Sequence, residues 1–413
     1  MSRISSGLAL KPLGPAKPAV LGGGRASGEL LVAPRVREIP PSGIRTFFDL
    51  AAANNEVISL GVGEPDFPLP ASVREACIRA MERGDTMYTP NAGLPELREE
   101  IAAYLHRSFG TMYAPADEVL VTVGSSEALD LALRAFTAPG DEIIVPSPGY
   151  VAYAPMAHLN GGTIVPVSTP SSSGFKLTAD ALRAAITPRS KLLVLNYPNN
   201  PTGAVMSYDE WLPVAEVVRE AGLIVLADEV YAELSYGEKH VSFAALPGMR
   251  ERTILISGFS KAFAMTGWRV GYACGNRELL APMLKIHQYT AMCAPAISQI
   301  AALESLRSGL AHMEMMKDSF RQRRTLLVEG LKAAGLPCHE PQGAFYAFPS
   351  ISHTGMTSDA FAHALLREAG VAAVPGSVFG ADGEGYIRCS YAASPAKLEA
   401  ALERLDRFMK KWR

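Results

Sequence analysis

Between Ile256 and Gly271 the chain reads I-S-G-F-S-K-A-F-A-M-T-G-W-R-V-G, and its only charged residues are Lys261 and Arg269. An ammonium group is strongly hydrated and is rarely buried without a partner. Here Lys261 follows a strand-like run and a Ser-Gly turn, which directs its amine into a pocket. Desolvation disfavours the charged form and lowers the pKa, so the neutral amine becomes a nucleophile able to condense with an aldehyde. An exposed loop lysine is the ordinary alternative. Four other features decide against it.

Asp228 closes the apolar run L-I-V-L-A-D, where a charge beside a buried strand is costly unless it meets a cation. The protonated ring nitrogen of pyridoxal 5'-phosphate is such a cation, and an aspartate that keeps it protonated makes the ring an electron sink. Tyr231, three residues on, is in reach of the ring's phenolic oxygen. The turn N-Y-P-N-N-P-T-G (Asn196–Gly203) has a backbone fixed by prolines and offers Asn200 to the same oxygen. Gly124-Ser125-Ser126 opens a helix after a strand and presents N–H groups and hydroxyls to a phosphate, to which Arg269 adds a forked cation. Each feature alone is weak; together they match different edges of one cofactor.

These residues need a scaffold that brings strand ends together. Short apolar runs alternate with helical patterns from about Glu29: E-V-L-V-T-V-G at 118–124, D-E-I-I-V-P at 141–146, K-L-L-V-L-N at 191–196, L-I-V-L-A-D-E at 223–229, T-I-L-I-S-G-F-S at 253–260 and V-G-Y-A-C-G at 270–275. Strands of this kind, separated by helices, predict an α/β fold with a mainly parallel sheet sandwiched by helices, whose ligands gather at the strands' carboxyl ends. Ser125 or Ser126 is placed to cap the helix after the first of these runs. After Ala294 the texture changes to a long charged helix near 310–334, G-A-F-Y-A-F, a further helical stretch and Y-I-R-C-S-Y, which predict a smaller α+β domain. The expected division is a disordered tail at 1–28, a small domain of 29–72 plus 310–413, and a large cofactor-binding domain of 73–309.

The rest of the chain narrows the function by exclusion. The 413 residues are 48% hydrophobic and 19% charged with a formal net charge of -2, so neither disorder nor binding to nucleic acid is indicated. No apolar run reaches the ~18 residues of a membrane span. Five scattered cysteines without a C-x-x-C pair suit a reducing compartment, and the cytoplasm is expected. G-V-G-E-P-D at 61–66 is half a dinucleotide fingerprint with a proline where a helix should open. The eight histidines are scattered and show no metal-ligand spacing. The basic tail, with Arg3, Lys11, Lys17 and Arg25 and no acid, is broken by prolines and lacks the pattern of a targeting helix.

The sequence resembles the class I aminotransferases of the pyridoxal-phosphate fold type I superfamily from about Ile39 to the C-terminus. The resemblance rests on I-P-P-S-G-I-R-T-F-F-D-L-A, S-L-G-V-G-E-P-D-F, Y-T-P-N-A-G-L-P-E-L-R, N-N-P-T-G, D-E-V-Y and S-K-A-F-A-M-T-G-W-R-V-G-Y, which look like the aspartate and aromatic branch. It implies a ping-pong transfer of an amino group from an L-amino acid to a 2-oxo acid such as 2-oxoglutarate, in amino acid metabolism and biosynthesis. Lys261 would be the Schiff-base lysine and proton shuttle, with Asp228 on the ring nitrogen and Asn200 and Tyr231 on the phenolic oxygen. Tyr150 would stack on the ring, and Ser125, Ser126, Ser260 and Arg269 would hold the phosphate. Tyr88 would reach the phosphate of a neighbouring subunit, so a homodimer with shared active sites is expected. Arg388, helped by the backbone of Gly63, would clamp the substrate's α-carboxylate.

Substrate choice is less determined. Ser126 stands where some aspartate-using relatives carry a lysine, and Ile44, Phe47 and Phe48 suit apolar or aromatic side chains, or simply pack an N-terminal helix. A lyase or a 1-aminocyclopropane-1-carboxylate synthase-like enzyme would share Lys261, Asp228 and Arg269 and is the alternative.

Overall fold

The computed structural model describes residues 31–41, 43–44 and 56–412. The tail expected at 1–28 and the residues Phe47 and Phe48 lie outside them. The chain divides into two compact units, Met1–Pro40 and Pro41–Arg413. In the first, the described residues form one short helix, Pro34–Arg37, with no buried side chain.

The second unit begins with β1 (Ile58–Ser59), α1 (Ala71–Arg83), α2 (Pro95–Phe109), β2 (Val119–Thr122), α3 (Gly124–Phe136), β3 (Glu142–Ser147), α4 (Tyr153–Leu159) and β4 (Thr163–Ser168). It continues through α5 (Ala179–Ala185), β5 (Ser190–Asn196), α6 (Tyr208–Ala221), β6 (Ile224–Asp228), β7 (Thr253–Gly258), β8 (Gly271–Cys274), α7 (Arg277–Thr290) and α8 (Ala296–Ser308). The last third contains α9 (Leu310–Ala333), β9 (Tyr346–Ala347), α10 (Ser358–Ala369), β10 (Val371–Ala372), β11 (Val374–Pro375), β12 (Ile387–Ser390) and α11 (Pro395–Met409).

Seven strands form the main sheet in the order β2-β8-β7-β6-β5-β3-β4. Only β8 runs antiparallel to its neighbours β2 and β7; the other pairs are parallel. Every residue of β2, β3, β7 and β8 is buried, as continuous apolar runs covered on both faces require. The edge strand β4 was not among the expected strands. Its sequence T-I-V-P-V-S carries Pro166, which an edge tolerates because one side of the strand has no ladder to complete.

A second sheet, β11-β12-β9, is antiparallel, and β1 pairs with β10. Its core draws on Leu60, on the 230–236 stretch and on α9, α10 and α11, including Phe320, Phe345, Phe361, Leu398 and Leu405. α9 presents Phe320, Leu327 and Leu331 at helical spacing to that core.

Register explains why the chemistry converges. Asn196, the last residue of β5, lies beside Asp228, the last of β6, and Asp228 lies beside Ile256 of β7. β7 runs on into Ser260 and Lys261, β2 into Gly124, and β8 starts just after Arg269 on the same edge because it runs the opposite way.

Candidate active site

That edge opens into a cavity of about 920 Å³. Gly63, Ser125, Ser126, Tyr150, Asn200, Asp228, Tyr231, Ser260, Lys261, Arg269 and Arg388 all line it. Tyr88 does not; its side chain is 82% exposed. Eleven of the twelve expected residues are therefore gathered from strand ends in both sheets and the loops between them.

Lys261 Nζ donates to the Gly63 carbonyl at 2.7 Å. Burial pushes its pKa from 10.5 down to about 8; Arg388 and Arg269 push the same way, and Glu64 and Asp228 oppose them. At such a value roughly a tenth of the amine is unprotonated at pH 7, far more than for an ordinary lysine, and it is this form that acts as nucleophile or base. Asp228 is buried at the end of β6, and burial raises its pKa from 3.8 to about 6. The Tyr153 hydroxyl, donating to Asp228 Oδ2 at 2.7 Å, and the Val230 N–H at 3.4 Å limit that rise. Asn196 Nδ2 donates to the Asp228 carbonyl at 3.0 Å and fixes the strand end.

Arg388 is 2% exposed and sits in β12 with its guanidinium 4.3 Å from the Tyr346 ring centroid and 5.0 Å from that of Phe379. Nη1 donates to Asn200 Oδ1 at 2.9 Å and Nη2 to the Gly61 carbonyl at 2.8 Å. Both acceptors are neutral, and among the described residues no carboxylate pairs with Arg388. Because Oδ1 of Asn200 faces Arg388, its Nδ2 remains a donor. The Tyr231 hydroxyl lies 3.0 Å from that of Tyr346.

At the opposite end, Gly124 has φ +75 and a Cβ there would come within 2.5 Å of Arg269 Nη2, so the guanidinium lies against a bare α-carbon. Arg269 itself has φ +50, and its Nη1 donates to the Thr266 carbonyl at 3.0 Å. The cap expected from Ser125 or Ser126 is not formed: α3 starts at Gly124 with no hydroxyl closing its first turn. Serines occupied as caps would have fewer lone pairs and protons for a ligand. Here both hydroxyls line the cavity at a helix N-terminus, where anions are favoured.

Tyr153, Tyr346 and Glu64 belong to the cavity but were not singled out by sequence. Tyr153, the first residue of α4, packs edge-on against Tyr150 with ring centroids 5.5 Å apart. Glu64 was set aside with the broken dinucleotide motif; its Oε2 accepts from the Thr266 hydroxyl at 3.3 Å.

The residues present fit pyridoxal 5'-phosphate. A buried carboxylate would suit its ring nitrogen, a cationic helix start its phosphate, and a desolvated lysine its aldehyde. The fold and this combination define a pyridoxal-phosphate enzyme of fold type I. Residues 55–405 match the family model "Aminotransferase class I and II". The Bacillus subtilis (strain 168) protein YugH, named as an aminotransferase, is 56% identical over 91% of this chain and 97% of its own. An aspartate aminotransferase of Pyrococcus abyssi (strain GE5 / Orsay) is 43% identical over 91% of this chain and 97% of its own. The crystal structure of an aromatic aminotransferase from Pyrococcus horikoshii OT3 superposes with a TM-score of 0.85 at 42% identity, covering 88% of this chain and 99% of that one. The chain belongs to the class I and II aminotransferases, in the aspartate and aromatic branch. It is a pyridoxal-phosphate-dependent transaminase of amino acids, and these relatives do not favour the lyase or cyclopropane-forming alternative.

Proposed function

We propose that Lys261, Asp228 and Arg388 divide the work of transamination within the one cavity. The observation that carries this reading is Arg388: a buried guanidinium among neutral oxygens is held ready for a carboxylate that both the donor and the acceptor possess. When bound, pyridoxal 5'-phosphate supplies an aldehyde carbon that carries the amino group and a ring that draws electrons from it. Ser125, Ser126, Ser260 and Arg269 would hold its phosphate, Asp228 its ring nitrogen, Asn200 and Tyr231 its phenolic oxygen, and Tyr150 its ring face. Arg388, with the Gly63 backbone, orients the substrate by its α-carboxylate. Lys261 removes the proton from the substrate's α-carbon as general base in one half-reaction and returns a proton there in the other. The two half-reactions alternate, so the first product leaves before the second substrate enters.

The lining of the cavity supports aromatic or broad apolar donors over aspartate. Ile44, Val62 and Val151 line it together with Glu64, while Lys261, Arg269 and Arg388 are its described cations and each has another task. Ser126 supplies no charge. A screen of donors with 2-oxoglutarate as acceptor tests this, with kcat/KM for phenylalanine or tyrosine expected at least about tenfold above that for aspartate. Aspartate outrunning both overturns the side-chain reading and leaves the roles of Lys261, Asp228 and Arg388 in place.

Homodimerisation and a division into a large domain (73–309) and a small one (29–72 plus 310–413) complete the reading. Met87, Tyr88 and Tyr289 are each more than 80% exposed, and a second copy that covers them would bring Tyr88 to its neighbour's phosphate. The separate core around β9 and β12 supports the small domain, although the 230–236 stretch contributes to it from the large one. Five free cysteines support a reducing, cytoplasmic setting and a place in biosynthetic amino acid metabolism. Among the described residues no helix is long and apolar enough to cross a membrane.

A further inference from the structure

α3 and α6 begin in different ways. At α6, Ser207 accepts from the Glu210 N–H while the Glu210 side chain reaches back to the Ser207 N–H, a complete capping box. At α3 the position before the helix is Val123, which has no side chain able to cap. Glu127 folds back instead, and its Oε2 accepts the Val123 N–H at 2.5 Å. Its other oxygen, Oε1, lies 2.8 Å from Nδ1 of His287 in α7. A carboxylate can only accept, so Nδ1 carries the proton and the imidazole is fixed in one tautomer. His287 is fully buried.

A carboxylate in the first turn of a helix competes with any anion bound there for the same N–H groups, and repels it. Glu127 avoids this conflict because its oxygens are engaged by Val123 and His287, and it does not line the cavity. Ser125 and Ser126, in the same turn, do line it, with Arg269 lying against Gly124. We propose that Glu127 and His287 are positioning residues of the phosphate cradle: Glu127 ties down the start of α3 by accepting the Val123 N–H, which keeps its carboxylate off the N–H groups that face the anion, and His287 holds Glu127 in that orientation. The proposal rests on reading Ser125, Ser126 and Arg269 as the cofactor-phosphate site.

Two measurements on the full-length protein test it. Cofactor dissociation from the holoenzyme is followed by equilibrium dialysis, and stabilisation of the cofactor-free protein by inorganic phosphate is followed by thermal unfolding. Glu127→Ala is expected to weaken cofactor retention about tenfold or more and to lose most of the phosphate-induced shift, since a charge-assisted hydrogen bond at the cradle's base is removed. His287→Phe should weaken retention by about threefold to tenfold. Glu127→Gln keeps an acceptor for the Val123 N–H and should stay within about threefold of the parent. If Glu127→Ala does not fold, His287→Phe and Glu127→Gln carry the test. Arg269→Ala is the control. If it weakens retention while Glu127→Ala and His287→Phe leave both readouts at parental values, the positioning proposal is overturned and the cradle reading stands. If Arg269→Ala changes neither readout, the cradle reading itself fails, and the proposal with it. A lowered melting temperature with an intact phosphate response assigns the pair to stability alone and also overturns the proposal.

Discussion

Two buried arginines in this protein are built alike on one side and differently on the other. Arg323 in α9 stacks on Phe67 and Phe320 at 4.8 and 5.5 Å, and Arg388 in β12 stacks on Tyr346 and Phe379 at 4.3 and 5.0 Å. Both have a buried Nε without a partner among the described residues. The difference is the counter-charge. Arg323 Nη1 reaches Asp66 Oδ1 at 2.7 Å and the carbonyls of Ala392 and Ala393 at 3.0 Å, whereas Arg388 meets only neutral oxygens. A buried guanidinium without a carboxylate costs folding energy, so its retention beside the desolvated Lys261 and Asp228 marks charges reserved for ligands. On the proposed roles, Arg323 holds the fold, whereas Arg388, Lys261 and Asp228 take partners from outside it.

The comparison predicts that reserved charges fail in activity and internally paired ones in stability. Lys261→Ala should show the largest effect, a loss of at least about 10⁴-fold in transamination, since one residue serves as both nucleophile and base. The variant should still fold and retain pyridoxal phosphate noncovalently. Borohydride reduction of the parent followed by peptide mapping checks the assignment, and label on any other lysine would break it.

Asp228→Asn comes next, with an expected loss of about 3 kcal/mol of transition-state stabilisation, or about 100-fold in rate. Its stability sharpens the contrast. An acid whose pKa rises from 3.8 to about 6 on folding opposes folding above pH 3.8, and does so in full above about 6. The cofactor-free Asn variant should therefore unfold no more readily than the parent at neutral pH. A large loss of stability with activity intact would place Asp228 on the structural side.

Arg323→Ala should show the reverse signature: a loss of about 2 kcal/mol in denaturant unfolding, moderated by the partial exposure of Asp66, with most activity per folded molecule retained. Parental stability with activity abolished would erase the distinction drawn between the two arginines. The smallest effect concerns pH. Lys261 must be unprotonated to add to an aldehyde, so the rate at which cofactor-free protein takes up pyridoxal phosphate should rise with pH and level off with a midpoint at about 8. A midpoint near 10.5, the ordinary lysine value, would show that the amine is not desolvated.

Much of the site was legible because strand ends advertise it. Asp228 ends an apolar run and Asn200 and Lys261 follow one within four residues, and the Gly124-Ser125-Ser126 turn has the look of an anion site without any partner in view. What stayed hidden are contacts between residues far apart in sequence. Tyr153 meets Asp228 across 75 residues and Arg388 meets Gly61 across 327, and no local pattern reports such pairs. The same limit hid how α3 begins: the helix starts at Gly124, ahead of the serines that local propensity favours as caps, and Glu127 at its base is held by His287 from 160 residues away. The smaller sheet was foreseen only as an α+β region. β9 and β11 are two residues long, too short for alternation to be read; β9 is held by the core around Phe345 and Tyr346, and β11 by its pairing with β12.

The central claim is that Arg388 is reserved for the carboxylate shared by both substrates. Single-turnover absorbance on Arg388→Ala, donor half-reaction and acceptor half-reaction separately, with bound cofactor assayed in parallel, tests it most directly. The account predicts that both half-reactions weaken together by roughly 30-fold to several thousand-fold while cofactor content stays at the parental level. Impairment of only one half-reaction, or loss of the cofactor, would contradict it.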